Sequence, residues 1–344
     1  MVKTAGMAID TMVPSRPQCG DAVVRQERLG LGASWTTETA YDPFIQLAQA
    51  AAQTSRIKLG TAVTVAFARN PMTLAISANH LHLISAGRLL LGLGTQVRSH
   101  IQRRYSMPWS HPAARMREYV QALHAIWSCW NRHEPLSFKG QFYEHSLMAP
   151  LFDPGPNPFG APPVYVAGVG DLMAAVAGEV ADGFVAPPLA SATYLRERHL
   201  PAVAAGWSRA HEGPVRTEIC AMPFVVTGRD QPELDAALEA TRERIAFYAS
   251  TPAYASILDL HGWSAVRQKL TEHARRQEWE SMATLVSDSM LETFATIARP
   301  ADLVSAVQAR YEGLAQRAIL YPVNDLADAV QEEIFAANHD AQQG

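Results

Sequence analysis

Hydrophobic and polar positions alternate in blocks along most of the chain, and the blocks predict strands followed by helices. The clearest strands lie at Ile57–Val65 and Arg88–Leu93, where the apolar runs are too continuous for half-exposed strands and predict strands covered on both faces. Between them, a helix is predicted to begin with the N-cap Asn70 and Pro71 and to end at Gly87. The stretch therefore predicts one β-loop-α-β unit of a parallel sheet.

The same alternation continues almost to the end of the chain and predicts about eight strands. They are Lys3–Ile9, Ala33–Thr37, Ile57–Val65, Arg88–Leu93, 163–168, 183–188, Ile219–Val226 and Arg317–Tyr321. Further helices are predicted at Cys19–Leu29, after Asp42-Pro43, at Pro112–Trp130, at Asp171–Val180, near Leu195–Ala205, at Ala301–Tyr311 and at Asp325–Ala337. Repeated β-α units of this number and length predict a single α/β domain over residues 1–344, a (β/α)8 or TIM barrel.

Two stretches depart from the alternation. Residues 131–162 combine a predicted hairpin about Lys139-Gly140 with a proline-rich connection. Residues 231–296 contain several consecutive helical patterns. We expect both to be insertions near the barrel mouth, after the fourth and the seventh strand, and not separate domains.

Composition narrows the class of protein. Of the 344 residues, 48% are hydrophobic and 18% charged, which is typical of a soluble globular protein, and neither a secretory signal nor a membrane span is recognisable. Three widely spaced cysteines, at positions 19, 129 and 220, favour neither a disulfide framework nor a metal site. The pI of about 6.3 gives no reason to expect a nucleic-acid partner. These features predict a cytoplasmic protein without a membrane or nucleic-acid partner.

The charge is unevenly distributed. The whole chain has a net charge of −4, yet the window from Pro43 to Arg117 contains no acidic residue and carries +9. Five of its nine basic residues follow the fourth predicted strand, on the side where parallel barrels bind ligands. An anionic ligand is the more specific interpretation of this pattern, and a solvated face with scattered arginines is the alternative. The nine are Arg56, Lys58, Arg69, Arg88, Arg98, Arg103, Arg104, Arg115 and Arg117.

Two glycine-rich turns follow predicted strands. Gly92–Val97 and Gly168–Asp171 both lack the third glycine of a dinucleotide fingerprint, because Val97 and Met173 occupy that position. Glycines before a helix still let backbone N–H groups approach a phosphate. A tight turn without a ligand explains Gly168–Asp171 equally well.

Two titratable side chains are predicted near the same edge of the barrel. Glu38 ends the second predicted strand and His100 lies in the segment after the fourth, and barrel enzymes gather their chemistry on this side. A solvated carboxylate and a surface histidine are the alternative interpretations. The motifs of hydrolases with a G-x-S-x-G turn, Walker-type kinases and H-E-x-x-H metalloproteases do not occur in the sequence.

Several segments together resemble a known family. GTAVTVAFARNP, LHLISAGRLLLGLGTQV, PPVYVAGVG and AGEVADGF, in this order, are similar to the bacterial luciferase-like superfamily, and within it to the deazaflavin (coenzyme F420)-dependent oxidoreductases. The resemblance is close over residues 25–200. It implies a (β/α)8 barrel that holds a flavin or deazaflavin at its carboxyl mouth, commonly in a homodimer.

The resemblance also implies site residues. It places a non-prolyl cis peptide between Ala62 and Val63, behind the cofactor ring, and assigns the phosphate to Gly168–Gly170. His100 would flank the cofactor, and His100 or Glu38 would tune protonation as the catalytic residue. The implied cofactor-binding residues are Thr37, Ala62, Val63, Gly94, Thr95, Gln96, Val97, Gly168, Val169 and Gly170.

Two departures from the family pattern bear on the reaction. Sugar-phosphate dehydrogenases of the family have Asp-His where this chain has Glu38-Thr39, and a glutamate where it has Val97. We therefore expect hydride transfer between reduced coenzyme F420 and a small organic substrate, with reduction of a carbonyl or an activated double bond favoured over sugar oxidation. The alternatives are an FMN-dependent monooxygenase and a flavin-binding protein without turnover.

Overall fold

The computed structural model describes residues 6–340, and its core is a closed barrel of eight parallel strands. In chain order they are β1 Ala8–Met12, β2 Ala33–Thr36, β3 Lys58–Thr61, β4 Leu89–Gly94, β5 Val164–Ala167, β6 Gly183–Val185, β7 Glu218–Ala221 and β8 Arg317–Pro322. Each strand pairs with the next, and β1 closes the barrel on β8, with Ala8 opposite Arg317. The predicted (β/α)8 barrel is confirmed.

Helices surround this barrel. They are α1 Gly20–Arg28, α2 Pro43–Gln53, α3 Pro71–Ile84, α4 Arg98–Arg103, α5 Pro112–Arg132, α6 Asp171–Val180, α7 Leu200–Ala210, α8 Gln231–Ser250, α9 Ala255–Leu260, α10 Ser264–Arg275, α11 Trp279–Ala283, α12 Asp288–Phe294, α13 Leu303–Tyr311 and α14 Asp328–Asp340. A turn at Ala192–Tyr194 and a π-helical turn at Leu195–His199 lead into α7. None of the helices between residues 6 and 340 is long and apolar enough to span a membrane.

The predicted helix starts hold in detail at α2 and α3. The Asp42 carboxylate accepts a hydrogen bond from the Phe44 backbone N–H at 2.8 Å, and the Asn70 side chain accepts one from Thr73 at 3.1 Å. In both helices proline occupies the first turn, where its missing N–H costs no hydrogen bond. Beyond α3 the chain reverses at Gly87, whose φ of +78° suits glycine.

Three predicted strands differ from the structure. The first was predicted at Lys3–Ile9, of which residues 3–5 lie outside the described range, and β1 instead runs from Ala8 to Met12. The third breaks in two at residues 62–63, and its second part, Thr64–Val65, pairs with the end of β4.

The strand predicted at Ile219–Val226 also divides. Its second part, Phe224–Val226, leaves the barrel and pairs with the short strand Ala295–Ile297 and with the end of β8. Pro223 stands at the break, and a proline has no N–H to donate to a sheet ladder.

The insertion at residues 131–162 contacts α5 through the turn of its hairpin. Its hairpin pairs Phe138–Lys139 with Glu144–His145, as predicted. The Glu118 carboxylate on α5 accepts hydrogen bonds from three backbone N–H groups of the turn, at 2.8, 2.7 and 2.6 Å, from Gln141, Phe142 and Tyr143. One acidic side chain thus fixes the turn of the insertion to the helix.

The insertion at residues 231–296 contains α8 to α12 and reaches the carboxyl end of the barrel. Arg244 of α8 donates a hydrogen bond to the Tyr321 hydroxyl at 3.3 Å, and Phe224 stacks on Tyr321 with ring centroids 5.4 Å apart. Because Tyr321 is near the carboxyl end of β8, this contact places the middle of α8 beside the barrel mouth.

The barrel interior is closed by a polar cluster, here called the barrel plug, formed by Asp10, Trp35, Tyr165, Glu218 and Arg317. Asp10 is fully buried and accepts hydrogen bonds from the Trp35 indole at 2.9 Å and from Arg317 Nε at 2.8 Å. The Tyr165 hydroxyl donates to the Glu218 carboxylate, and Arg317 lies 3.8 Å from the same carboxylate. The plug therefore ties strands from both halves of the barrel together.

Two glycines make room for the plug. A Cβ atom at Gly60 would lie 2.2 Å from the Trp35 ring, and one at Gly183 would lie 2.1 Å from the Tyr165 ring. The two rings meet edge to face with centroids 5.8 Å apart, an arrangement that the charge distribution of aromatic rings favours.

The plug predicts how stability depends on pH. Burial raises the pKa of Asp10 from 3.8 to about 6, although the charge of Arg317 and hydrogen bonds from Trp35 and Arg317 oppose the shift. Because the folded-state pKa is the higher one, this contribution to stability is complete below the unfolded-state pKa and is lost as the pH rises through the folded-state pKa. Relative to Asp10→Asn, we expect the free energy of unfolding of the native chain to fall by on the order of 3 kcal/mol over this range in urea denaturation.

An exposed aspartate on α1 supplies the control. Asp21→Asn removes a carboxyl that lies in solvent, so its stability difference from the native chain is expected to stay constant over the same pH range. A constant difference for Asp10→Asn as well would show that Asp10 is ionised throughout and that burial does not govern its pKa.

Candidate functional site

The carboxyl ends of β2, β3 and β4 bring several predicted site residues together. Ala62 follows β3 and donates its backbone N–H to the Thr36 carbonyl on β2 at 2.8 Å, next to Thr37. A Cβ atom at Gly94, which ends β4, would lie 2.4 Å from Val63 Cγ2. Neighbouring strands therefore place Thr37, Ala62, Val63 and Gly94 at one side of the barrel mouth.

The peptide bond between Ala62 and Val63 is cis, as the family resemblance implied. Ala62 is buried, and Val63 is partly exposed. The Val63 carbonyl accepts the Glu38 backbone N–H at 3.3 Å, so the loop after β2 is hydrogen-bonded to this segment.

Glu38 is held by the protein on all sides of its carboxylate. One oxygen accepts the Val65 backbone N–H at 2.8 Å, and Arg69 donates to both oxygens at 2.5 and 2.6 Å. Asp42 binds the other end of the Arg69 guanidinium at 2.8 Å. Burial lowers the pKa of Arg69, but hydrogen bonds and charges of Glu38 and Asp42 outweigh it and raise the pKa above its usual value. In this arrangement Glu38 acts as a structural anion that fixes the segment after the cis peptide.

The segment after β4 is more open. Gln96 has a φ of +59°, and its side-chain oxygen accepts the Val97 N–H at 3.0 Å, while the Thr95 hydroxyl donates to the Gln96 carbonyl at 2.9 Å. His100 lies on the short helix α4, which the sequence did not predict, and is exposed. Within the described part of the chain, its imidazole makes no hydrogen bond or ion pair. The structure thus places His100 at the rim of the mouth.

The loop Gly168–Gly170 leads from β5 into α6, as predicted. A Cβ atom at Gly168 would lie 2.4 Å from Met173, whereas a Cβ at Gly170 would meet nothing within 4 Å. There is therefore free space beside the backbone at the amino-terminal end of α6, where N–H groups and the helix dipole favour an anion.

Two residues that sequence reasoning missed support this loop. His199 Nε2 lies 2.9 Å from the Val169 carbonyl, and the Tyr194 hydroxyl donates to the same carbonyl at 3.3 Å. Burial lowers the pKa of His199 to about 4, so the ring is neutral near pH 7, and because a carbonyl only accepts, Nε2 carries the proton. Both side chains reach the loop from the turn and the π-helix before α7. No local sequence pattern predicts this contact.

The nine basic residues of the acid-free window do not form one site. Arg88 donates to carbonyls of Ala51, Thr54, Ile57 and Ser85, which lie before or near the amino ends of β3 and β4. Arg69 binds Glu38 and Asp42, and Arg117 binds Glu179. The prediction of a collective anion site is therefore wrong for these arginines.

Three basic residues of the window remain at the rim of the mouth. Arg98 donates to Gln102 at 2.9 Å, Arg104 donates to the Thr39 carbonyl at 2.6 Å, and Arg103 is exposed. Among residues 6–340, no carboxylate lies within ion-pair distance of these three guanidinium groups. They keep a local positive charge on and beside α4.

The class of protein is thus a (β/α)8 barrel with a cis peptide after β3 and glycine loops after β4 and β5. The luciferase-like monooxygenase family matches residues 4–317, and the chain belongs to this family. An uncharacterized protein of Mycobacterium tuberculosis is 44% identical over 335 residues, which are 97% of each chain.

Solved structures show the same fold with two kinds of cofactor. The coenzyme F420-dependent tetrahydromethanopterin reductase of Methanopyrus kandleri matches with a TM-score of 0.77 and 18% identity, over 96% of this chain and 98% of the reductase. The oxygenating constituent of 3,6-diketocamphane monooxygenase of Pseudomonas putida, in complex with FMN, matches with a TM-score of 0.68 and 17% identity, over 98% and 99% of the two chains.

The contacts of Glu38 predict a structural effect of its removal. Glu38→Ala leaves the Val65 N–H and part of the Arg69 guanidinium without their partner in a mostly buried place. We expect the free energy of unfolding in urea to fall by about 2 kcal/mol. His100→Ala is the matched control on the same rim, and its stability is expected to equal that of the native chain because the side chain is exposed. Equal stability of Glu38→Ala would mean that its carboxylate is free for chemistry.

Proposed function

We propose that this protein is an oxidoreductase that transfers hydride between reduced coenzyme F420 and a small organic substrate. The observation that carries the proposal is the group of arginines at the rim, Arg98, Arg103 and Arg104, which have no carboxylate partner in residues 6–340. A deazaflavin cofactor with a phosphate and an oligoglutamyl tail is a polyanion, and uncompensated cations at the mouth favour such a ligand over one with fewer charges.

The residues at the mouth fit a flat ring with a phosphate-bearing side chain. Ala62 and Val63 would support the ring, with Thr37 and Gly94 beside it, and the segment Thr95–Val97 would flank it. The free space at Gly170 and the N–H groups at the start of α6 would take the phosphate. His199 and Tyr194 would act as positioning residues, because they fix the Val169 carbonyl and with it the direction of the loop.

Reduced coenzyme F420 supplies two electrons as hydride when bound, and the substrate that accepts them also needs a proton. Glu38 is poorly suited to supply it, because its carboxylate is bound by Arg69 and the Val65 N–H. We assign the proton to His100, because its imidazole is exposed at the rim and is held by no other side chain of residues 6–340.

A second candidate is an FMN-dependent monooxygenase. The family match and the FMN-bound monooxygenase with the same fold favour it. Such an enzyme would consume reduced flavin with oxygen, whereas a hydride-transferring enzyme consumes its reduced cofactor only with a substrate. A flavin-binding protein without turnover would bind cofactor and do neither.

Cofactor titration tests the proposal. We expect the apo protein to bind coenzyme F420 more tightly than FMN in fluorescence titrations, and added salt to weaken the binding of coenzyme F420, because exposed charges are screened. Reduced coenzyme F420 bound to the protein should be stable in air without substrate. Tighter binding of FMN, or rapid aerobic loss of the reduced cofactor, contradicts the proposal and favours the monooxygenase.

Two glycine variants locate the phosphate in the same titration. Gly170→Val places a side chain in the free space beside the proposed phosphate loop and should weaken cofactor binding by about tenfold or more. Gly6→Val is the matched control, because a Cβ at Gly6 also meets nothing within 4 Å and the residue lies before β1. If both folded variants bind like the native chain, the phosphate lies elsewhere.

We further propose that the chain forms a homodimer through the outer face of α2 and α3. These helices pack against each other and expose Ile45 and Ile76 by 65% and 54%, with Leu83 and Ile84 also exposed. Exposed large apolar side chains on two neighbouring helices favour a contact with another protein.

The homodimer predicts a change in mass in solution. Ile76→Glu places a charge in the proposed interface and should convert the dimer to a monomer in sedimentation or light-scattering measurements. Leu147→Glu, at a more exposed position on residues 131–162, is expected to keep the mass of the native chain. A native chain that is monomeric at micromolar concentration would contradict the proposed dimer.

A further inference from the structure

A cavity of about 550 Å³ lies beside the barrel mouth, between α8, α11 and the residue that follows β8. Its walls include Glu243, Arg244, Phe247, Trp279, Glu280 and Val323. The volume is in the range of pockets that bind small organic molecules. None of these residues belongs to the cofactor site proposed above.

One wall of the cavity is aromatic. Phe247 is 53% exposed and Trp279 is 50% exposed, and their ring centroids are 6.3 Å apart with planes tilted by 44°. Two large rings that leave half of their surface outside the core offer an apolar contact to a ligand, and flat aromatic ligands gain most from it.

Arg244 gives the same cavity a specific polar group. It is partly buried, and its Nη1 donates a hydrogen bond to the Tyr321 hydroxyl at 3.3 Å. Within residues 6–340, its guanidinium forms no ion pair. A guanidinium has five donors and no acceptor, so donors remain for an oxygen of a ligand.

The position of Arg244 orients such a ligand. Tyr321 is at the carboxyl end of β8 and packs against the apolar residues inside the barrel. A group bound to Arg244 therefore lies at the end of the cavity next to the mouth, while a ring on Phe247 and Trp279 lies farther out along α8.

The acidic residues of the cavity limit the charge of the ligand. Glu243 and Glu280 line the same walls as Arg244. Because the lining has two carboxylates and one guanidinium, the repulsion of an anion in this cavity increases with the number of its negative charges. The cavity thus favours a planar molecule with a single negative charge over a sugar phosphate or another polyanion.

We propose that this cavity binds an aromatic carboxylate, with its oxygens on Arg244 and its ring against Trp279 and Phe247. The further assignment of this ligand as the substrate rests on the proposed function. The binding of the ligand does not depend on it. The binding site can therefore be tested without any cofactor.

Calorimetric titration of the protein with 2-naphthoate tests the proposal, in the presence and absence of coenzyme F420. We expect binding, and we expect Arg244→Met to weaken it by about tenfold or more through the loss of a charge-assisted hydrogen bond. The neutral 2-naphthalenemethanol should bind the native chain and Arg244→Met equally. Trp279→Ala should weaken both compounds, and Trp279→Phe should restore part of the loss.

The control variant lies at an arginine that does not line the cavity. Arg276→Met removes an exposed arginine near the end of α10 and should leave naphthoate binding unchanged. No binding at millimolar naphthoate, or equal binding by the native chain and Arg244→Met, overturns the proposed site. If naphthoate binds as expected while coenzyme F420 does not bind, the cavity stands and the proposed function fails.

Discussion

The ion pair between Asp10 and Arg317 joins the first and the last strand of the barrel at its centre. Hydrogen bonds from Arg317 and from the Trp35 indole compensate the buried carboxylate of Asp10, and Arg317 also lies 3.8 Å from the Glu218 carboxylate. The same cluster packs with apolar side chains inside the barrel. The candidate site residues lie at the carboxyl mouth, which is the face that parallel barrels use.

At this mouth, the segment held by fixed charges and the cavity proposed above as a binding site belong to different elements. The loops after β2 and β3 are held by Glu38, Arg69 and Asp42, so the segment at the cis peptide is backed by fixed charges. The helices α8 and α11 carry partly exposed aromatic rings, and Arg244 on α8 forms no ion pair with a carboxylate of residues 6–340. A segment held by fixed charges suits the proposed cofactor, and the helical insertion carries the proposed ligand cavity.

The sequence predicts those parts of the fold that local patterns determine. Asn70 and Asp42 cap their helices as expected because a cap needs only residues two or three positions apart. The continuous strand predicted across Pro223 is wrong. The break could have been predicted locally, because a proline has no N–H to donate to a sheet ladder. The structural roles of Arg88 and His199 could not be predicted from local patterns. His199 binds a carbonyl 30 residues away along the chain, and most of the carbonyls that Arg88 binds are more than 30 residues away. For the same reason, an acid-free window predicted one anion site where the structure distributes its charges.

The attachment of the hairpin in residues 131–162 limits which amino-acid replacements this chain can accept in evolution. Its turn rests on three hydrogen bonds to Glu118, and a Cβ atom at Gly140 would lie 2.2 Å from that carboxylate. Neither residue can be replaced freely while the other stays: a larger residue at 140 displaces the acid, and a shorter one at 118 leaves three N–H groups without an acceptor. The two positions form a linked pair, and a descendant of this sequence that loses the hairpin is released from both constraints at once.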